Sequence, residues 1–337
     1  MKTALEMLNL VNAALAAQPF DRQPSGLYEP VKYVLSLGGK RIRPVLMLMA
    51  YELYRDDIET IMPTALGIET YHNYTLLHDD VMDKAEIRRG KPTVHKVWNE
   101  NTAILSGDSM LVLAYQLMSR ADDRHLRRVL ELFTETALEI GEGQQYDLDF
   151  EQRMDVREEE YIEMIRLKTS VLLACALKLG AIQADAPDED ADLLYQFGEN
   201  IGLAFQLQDD LLDVYGDPKT FGKNIGGDIL EGKKTFMLIN ALRLADDRQL
   251  TELKGWLSTH VEEGIGADGC TPKGHSAKEK IAGVTALYDE IGVRELAERK
   301  INAYFDRAFE CLDRVHLPAD RKQPLRTFAL SLLGRKS

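Results

Sequence analysis

The stretch PTALGIETYHNYTLLHDDVMD, residues 63 to 83, carries apolar side chains at steps of three and four residues. That spacing places them on one face of an α-helix. The same spacing recurs along most of the 337-residue chain, and alternating, β-branched segments typical of strands are scarce. Gly- and Pro-containing segments separate the helical ones. The sequence therefore predicts an all-α protein, a single large helical bundle that occupies residues 1–337 as one domain.

The bulk composition excludes several classes of partner. A formal net charge of -14 argues against a general nucleic-acid partner, because such surfaces favour excess Lys and Arg. The three cysteines are widely spaced and fit neither a disulfide framework nor a zinc site, so we expect a reducing, cytoplasmic setting. The first residues are interpreted as an amphipathic helix rather than a signal peptide. No apolar run approaches the roughly 20 residues that span a bilayer.

Two clusters of aspartates end two of the predicted helices. Asp79 and Asp83 lie four residues apart and share a helix face, with Asp80 about 100° away. One such cluster alone would fit a solvated helix end, but QLQDDLLD repeats the arrangement with Asp209 and Asp213. Oxygen ligands without nearby His or Cys favour Mg²⁺, which completes its coordination with water and phosphate. The clusters therefore indicate a phosphorylated substrate.

Basic residues recur beside glycines and helix ends, where they would address an anionic ligand. GGKRIRP contains Lys40, Arg41 and Arg43 at a predicted helix start, where free amides favour anions. Each Lys or Arg taken alone is more often a solvated surface charge, so only the recurrence supports a diphosphate site. The other members of this set are Arg88, Arg89, Lys168, Lys223 and Lys233.

Taken together, these motifs resemble the trans-isoprenyl diphosphate synthases, or polyprenyl synthetases, of the short-chain farnesyl and geranylgeranyl type. The matching segments run in the family's order through GGKRIRP, HDDVMD, RRGKPTVH, AILSGD, GQQYDL, LKTS, FQLQDD followed by LLD, GKNIGGD and EGKKT. The resemblance implies the isoprenoid synthase fold, a helical bundle around a central cavity. It also implies condensation of isopentenyl diphosphate with an allylic diphosphate (dimethylallyl, geranyl or farnesyl), a homodimer and Mg²⁺, with three ions per active site.

The resemblance also assigns roles to individual positions. It implies that Asp79, Asp83 and Asp209 hold the metal. Isopentenyl diphosphate would be held by Lys40, Arg43, His72 and Arg89. The allylic diphosphate would be bound, and its ionisation assisted, by Arg88, Lys168, Thr169, Gln206, Lys223 and Lys233. Asp147 of GQQYDL matches a position near the metal site, with a less defined role.

Product length is predicted from the residues just before the first aspartate cluster. In this family a bulky residue five positions before the first aspartate commonly closes the chain-elongation tunnel, and here that residue is Tyr74, with Tyr71 behind it. Tyr74 would lie about 7.5 Å and Tyr71 about 12 Å along the helix axis from Asp79. Both could equally be ordinary core aromatics. Fifteen- and twenty-carbon products both stay open.

Two alternatives and one terminal feature accompany this prediction. A class I terpene cyclase would share the fold, but its second metal motif mixes Asn, Ser and Glu, where this chain has DDLLD. A non-catalytic subunit of a heteromeric synthase tends to lose the acidic motifs, and both are intact here. At the C-terminus, Arg335 and Lys336 fit a frayed solvated end better than a cover over the site.

Overall fold

Helices make up nearly the whole of the described chain. The computed structural model describes residues 2–216, 225–259 and 276–333. Within these ranges one two-stranded hairpin, β1 (Ile87–Arg88) and β2 (Lys91–Pro92), is the only sheet. The prediction of an all-α fold is confirmed.

The helices up to Tyr215 are numbered in chain order. They are α1 (Ala4–Ala16), α2 (Ser25–Ser36), α3 (Ile42–Glu52), α4 (Met62–Met82), α5 (Val94–Val97), α6 (Glu100–Met118), α7 (Asp123–Glu151), α8 (Glu158–Ile165), α9 (Val171–Gln183) and α10 (Asp188–Tyr215). A 3₁₀ turn precedes α4 at Ile58–Ile61, and a π-helical turn at Arg166–Ser170 joins α8 to α9. Later helices occupy Gly227–Glu231, Phe236–Leu244, Asp247–Ser258, Ala277–Ile291, Val293–Arg314 and Ala319–Leu333.

The chain divides into two compact units. The first unit comprises Met1–Leu138, Leu172–Gly198 and Glu310–Phe328. The second unit comprises Glu139–Val171, Glu199–Phe309 and Ala329–Ser337. The expectation of one domain over residues 1–337 stays a prediction.

Local sequence explains where several helices begin. Thr3 and Glu6 form a capping box at the start of α1, whose buried side chains are Met7, Val11 and Leu15. Asn99 caps α6 by accepting a hydrogen bond from the Thr102 amide. These caps satisfy amides that a helix start leaves without a partner inside the helix.

The core of the first unit is centred on α3, whose side chains from Pro44 to Glu52 are all buried. Helix α9 approaches α3 at Gly180, where an added Cβ would lie 2.3 Å from the carbonyl oxygen of Met47. This close packing suits the nearly all-round apolar character of both helices. In the described ranges, no helix combines the length and the apolar character needed to cross a membrane.

Candidate active site

The first aspartate cluster lies at the C-terminal end of α4, in the first unit. Asp79 and Asp83 are partly or fully accessible, whereas Asp80 is only 5% exposed. Arg88 forms a salt bridge with the Asp80 carboxylate. Its Nε lies 2.8 Å from both carboxylate oxygens, and its Nη2 lies 2.7 Å from Oδ1. Burial raises the pKa of Asp80, and the Arg88 guanidinium opposes that rise. The cluster thus presents two carboxylates outward and turns the third inward.

His72, about two helical turns before Asp79 on α4, forms a polar pair with Arg43 at the start of α3. Arg43 Nη1 lies 3.0 Å from His72 Nε2. Burial, and next the charge of Arg43, hold the pKa of His72 well below its ordinary value. Burial also lowers the pKa of Arg43 to about 10, and its Nε is buried without a hydrogen-bond partner among the described residues. A partly buried guanidinium with an unused donor is suited to binding an anion.

Arg89 contacts the backbone of Gly38 and Gly39, the glycine pair before α3. Arg89 lies in the two-residue turn between β1 and β2, where Arg89 and Gly90 both have positive φ, as a type I′ turn requires. Its Nη1 donates to the carbonyl oxygen of Gly38. Gly39 has a φ of +130°, which favours glycine, and an added Cβ would lie 2.9 Å from the Arg89 Cζ and displace that guanidinium. Lys40, which follows Gly39 in the sequence, is exposed.

Glu69 is a site neighbour that the sequence did not single out. Its Oε1 accepts hydrogen bonds from Arg41 Nη1 at 2.7 Å and from Asn73 Nδ2 at 2.8 Å. Asn73 Oδ1 in turn lies 3.3 Å from Arg89 Nη1. Glu69 is 1% exposed, and a buried charge of this kind requires a partner of opposite sign. A lone acid within the apolar stretch of α4 was the signal that could have revealed it.

The two tyrosines predicted to limit product length belong to a chain of aromatic contacts in the first unit. The ring of Tyr74 lies 4.8 Å from the ring of His78 and 5.4 Å from that of Tyr71. Tyr71 also contacts Phe133, at 5.2 Å, and its hydroxyl donates to the carbonyl oxygen of Ala137. Tyr71 is therefore held more firmly than the half-buried Tyr74.

The second aspartate cluster ends α10, in the second unit. Asp209 is half-buried, and Asp213 accepts a hydrogen bond at 3.0 Å from the Asp228 amide in the first turn of the helix Gly227–Glu231. Asp210 is 5% exposed and accepts from the Tyr161 hydroxyl and from Gln206 Nε2. Burial raises the pKa of Asp210 to about 7. As in the first cluster, the second aspartate of the motif points inward.

Lys168 and Thr169 lie in the π-helical turn of the second unit. Lys168 Nζ donates to Asp147 Oδ2 at 2.6 Å, which gives the Asp147 position a defined partner. The turn is tightly packed: a Cβ on Gly143 would lie 2.3 Å from the Lys168 amide nitrogen, and one on Gly202 would lie 2.6 Å from Ser170 Cα. Turns of this type occur often at functional sites.

The predicted site residues therefore form one group in each unit. The first unit contains Lys40, Arg43, Tyr71, His72, Tyr74, Asp79, Asp83, Arg88 and Arg89. The second contains Lys168, Thr169, Gln206, Asp209 and the exposed Lys233. Lys223, Arg335 and Lys336 fall outside the described residues.

Comparison with known proteins identifies the family. The sequence pattern of the polyprenyl synthetases matches residues 24–265. The chain belongs to the polyprenyl synthetase family. A short chain isoprenyl diphosphate synthase of Methanocaldococcus jannaschii is 44% identical to it over 241 residues, 70% of this chain and 73% of that protein. This polyprenyl synthetase is a prenyltransferase, as the sequence predicts.

Two further comparisons agree with this family, and one of them, with a solved structure, covers the whole chain. A geranylgeranyl diphosphate synthase of Methanosarcina mazei is 42% identical over 221 residues, 65% of this chain and 68% of that protein. The crystal structure of a geranylgeranyl pyrophosphate synthase superposes with a TM-score of 0.90 at 42% identity, and the match covers 100% of both chains. The polyprenyl synthetase therefore has the helical isoprenoid synthase fold.

The acidic residues of this polyprenyl synthetase suit Mg²⁺ more than a metal with an all-protein cage. Among the described residues there is no group of three or more His, Cys, Asp or Glu side chains placed to hold a metal ion. Each cluster instead offers carboxylates at the end of a helix, and its inner aspartate is already engaged. Mg²⁺ is usually held by one or two carboxylates together with water and substrate phosphates. The carboxylates at the two helix ends fit this mode of Mg²⁺ binding.

Proposed function

We propose that this protein joins isopentenyl diphosphate to an allylic diphosphate head to tail, giving a short-chain all-trans prenyl diphosphate and diphosphate. The observation that carries the proposal is the repeated arrangement of carboxylates and cations. Each acidic cluster ends a long apolar helix, and each compact unit also carries its own cationic side chains. Membership of the polyprenyl synthetase family supports the same reaction.

The cations of the first unit suit isopentenyl diphosphate, which keeps its diphosphate through the reaction. Arg43 and His72 form a partly buried pair, and Arg89 is held over the Gly38–Gly39 backbone. Lys40 adds an exposed ammonium beside them in sequence. Fixed, partly desolvated donors bind an anion without the cost of reorganising on binding. We assign Lys40, Arg43, His72 and Arg89 to this substrate.

A second set of cations and hydrogen-bond donors suits the allylic diphosphate, whose carbon–oxygen bond breaks. Negative charge gathers on the departing diphosphate, and positioned cations and hydrogen-bond donors stabilise that charge. We assign this role to Arg88, Lys168, Thr169, Gln206, Lys223 and Lys233. The double bond of isopentenyl diphosphate then attacks the allylic cation, and a proton is lost to the released diphosphate. No side chain needs to act as the base.

Asp79, Asp83 and Asp209 would hold Mg²⁺. The metal, when bound, would neutralise diphosphate charge and so assist ionisation. Asp80 and Asp210 are excluded from this set, because each is buried and already bonded to a protein partner.

We propose geranylgeranyl diphosphate, with twenty carbons, as the main product. Two of the compared proteins are named geranylgeranyl diphosphate synthase and geranylgeranyl pyrophosphate synthase. Tyr71, which is 2% exposed and bonded to the α7 backbone, would be the firm floor below the half-buried Tyr74. Incubation with isopentenyl diphosphate and each of dimethylallyl, geranyl and farnesyl diphosphate, followed by chromatography of the dephosphorylated products, tests this. A fifteen- or twenty-five-carbon main product would contradict it.

A second copy of the chain is the proposed partner. On α6, Ile104, Leu105 and Val112 are exposed, at positions that share one face of the helix. A hollow on α7 adjoins this face through the Tyr115–Thr134 hydrogen bond, and it is lined by Leu130, Glu131, Thr134, Glu135 and Leu138. Exposed apolar side chains grouped on one helix face are typical of a protein interface.

Replacing one carboxylate of each cluster tests the proposed chemistry. Asp79→Ala and Asp209→Ala should each reduce turnover by about a thousandfold or more, since each removes part of the stabilisation of the leaving group. The readout is incorporation of labelled isopentenyl diphosphate at saturating Mg²⁺. Asp306→Ala, an exposed aspartate on the helix Val293–Arg314, is the matched control and should retain normal rates. Near-normal turnover in the first two variants would contradict the metal assignment.

A further inference from the structure

The buried aspartates of the two acidic clusters have different hydrogen-bond partners. Asp80 and Asp210 follow the first aspartate of each cluster, and each is 5% exposed. Asp80 is held by the guanidinium of Arg88, a cation from the adjacent hairpin. Asp210 is held by the neutral hydroxyl of Tyr161 on α8. The inner aspartate of the second cluster is therefore bound by a neutral phenol, whereas that of the first cluster is bound by a cation.

Tyr161 begins a chain of polar contacts within the second unit. Its hydroxyl donates to Asp210 Oδ2, and Gln206 Nε2 donates to Asp210 Oδ1 at 3.2 Å. At the other end of the Gln206 amide, Oε1 lies 3.5 Å from Thr169 Oγ1, at the long limit of a hydrogen bond. The chain thus runs from α8 through α10 to the π-helical turn.

Each hydrogen bond in this series of contacts fixes the orientation of the next side chain. A glutamine amide has one donor end and one acceptor end, so a Gln206 that donates to Asp210 must turn its oxygen toward Thr169. Tyr161 is 3% exposed, so water has little access to replace its hydroxyl. Without that donor, Asp210 Oδ2 would lose its partner, and Gln206, which already donates to Oδ1, could shift toward it. Gln206 would then lose its fixed orientation.

We infer that Tyr161 is a positioning residue for the allylic diphosphate, acting through Asp210 to aim Gln206 and Thr169. The inference rests on the proposed function, which assigns those two residues to that diphosphate. Tyr161 itself does not need to touch substrate. Its loss should therefore weaken one substrate selectively, because isopentenyl diphosphate is assigned to residues of the first unit.

Tyr161→Phe tests this, since it removes one oxygen and keeps the ring. We expect the KM for geranyl diphosphate to rise by about tenfold, the scale of one hydrogen bond in a charged buried network. The KM for isopentenyl diphosphate should change by less than about twofold. The dissociation constant of a thiolodiphosphate analogue of geranyl diphosphate, measured by calorimetry, should rise by the same factor as the first KM.

Tyr54→Phe is the matched control. The Tyr54 hydroxyl donates at 2.8 Å to Asp190, a fully buried aspartate near the other end of α10. Both variants remove a tyrosine hydroxyl from a buried carboxylate, so both should lower the midpoint of thermal unfolding. Only Tyr161→Phe should change the KM for the allylic substrate.

A double substitution separates action through Gln206 from a general effect on the site. In a Gln206→Ala background, adding Tyr161→Phe should change the KM for geranyl diphosphate by less than about twofold, because the residue it acts through is already gone. A full additional tenfold loss there would overturn the inference, as would equal rises in both KM values. So would a Tyr161→Phe chain that does not fold, which would assign the hydroxyl to stability. An inactive wild-type protein would instead refute the proposed function.

Discussion

At the level of single residues, the neighbours of His72 determine which of its ring nitrogens carries the proton. An arginine side chain only donates hydrogen bonds, so His72 Nε2, 3.0 Å from Arg43 Nη1, must accept. The neutral ring therefore carries its proton on Nδ1. This leaves Nδ1–H as the donor that His72 could offer to an anionic substrate.

His72 should also make the stability of the protein dependent on pH. Its folded-state pKa is well below its ordinary value of 6.5, so below pH 6.5 the unfolded chain takes up a proton that the folded chain refuses. The stability contributed by neutral His72 is complete above pH 6.5 and declines as the pH falls. In His72→Gln, which keeps an acceptor for Arg43, that decline should be smaller.

The measurement is the midpoint of thermal unfolding at pH 7.5 and pH 5.5. Wild type should lose more degrees than His72→Gln between these two values. An equal loss in both proteins would show that the folded chain accepts a proton on His72, and the neutral state assigned to His72 beside Arg43 would then be wrong.

At the level of elements, α4 combines the predicted product floor with the first metal cluster. Tyr74→Ala should lengthen the product, and Tyr71→Ala added to it should lengthen the product further, because each removes a ring from the aromatic chain before Asp79. Chromatography of dephosphorylated products measures this. Tyr74→Phe, which keeps the ring, should leave product length unchanged. An unaltered product in the double alanine variant would make both tyrosines ordinary core residues.

The π-helical turn depends on glycine at its contact with α7. Gly143→Ala would place a Cβ 2.3 Å from the Lys168 amide nitrogen, so the two backbones would have to move apart. We expect a loss of about 1–3 kcal/mol in stability, as for overpacking, and weaker binding of the allylic substrate as Lys168 shifts.

Gly141→Ala is the control for this change. Gly141 lies two residues earlier on α7 with nothing within 4 Å of an added Cβ. Its replacement should leave both thermal unfolding and the KM for geranyl diphosphate unharmed, and the better helix propensity of alanine should add up to about 1 kcal/mol of stability. Equal behaviour of the two variants would argue against the tight contact at Gly143.

At the level of the whole molecule, the exposed apolar face on α6 and α7 predicts assembly. Leu105 and Val112 are 59% and 68% exposed and lie on the same face of α6, and exposed apolar residues that are grouped mark an interface where single ones do not. The double variant Leu105→Glu with Val112→Glu should shift the protein from dimer to monomer in sedimentation velocity. Leu5→Glu changes a leucine on α1 that is 65% exposed, and it should not alter the assembly state. A monomeric wild type would refute the proposed partner.

Much of this molecule could be predicted because its main signals are local. Three- and four-residue apolar spacing identified the helices, and the two DDxxD motifs with their neighbouring basic motifs identified the family before any contact was known. Helical spacing also placed Asp79 and Asp83 on one face and Asp80 on another. The roles assigned to the site residues stay predictions.

Only the tertiary structure decided what the inward-facing residues contact. Tyr161 lies 49 positions from Asp210 in the sequence, and Arg41 lies 28 positions from Glu69. The sequence contains three basic residues in GGKRIRP. It could not show that Arg41 forms a buried ion pair with Glu69 while Arg43 contacts His72. Helix periodicity depends on neighbours within a few residues, so the sequence alone determines it. The partner of a buried polar side chain depends on which distant helices pack against it, so only the fold determines that.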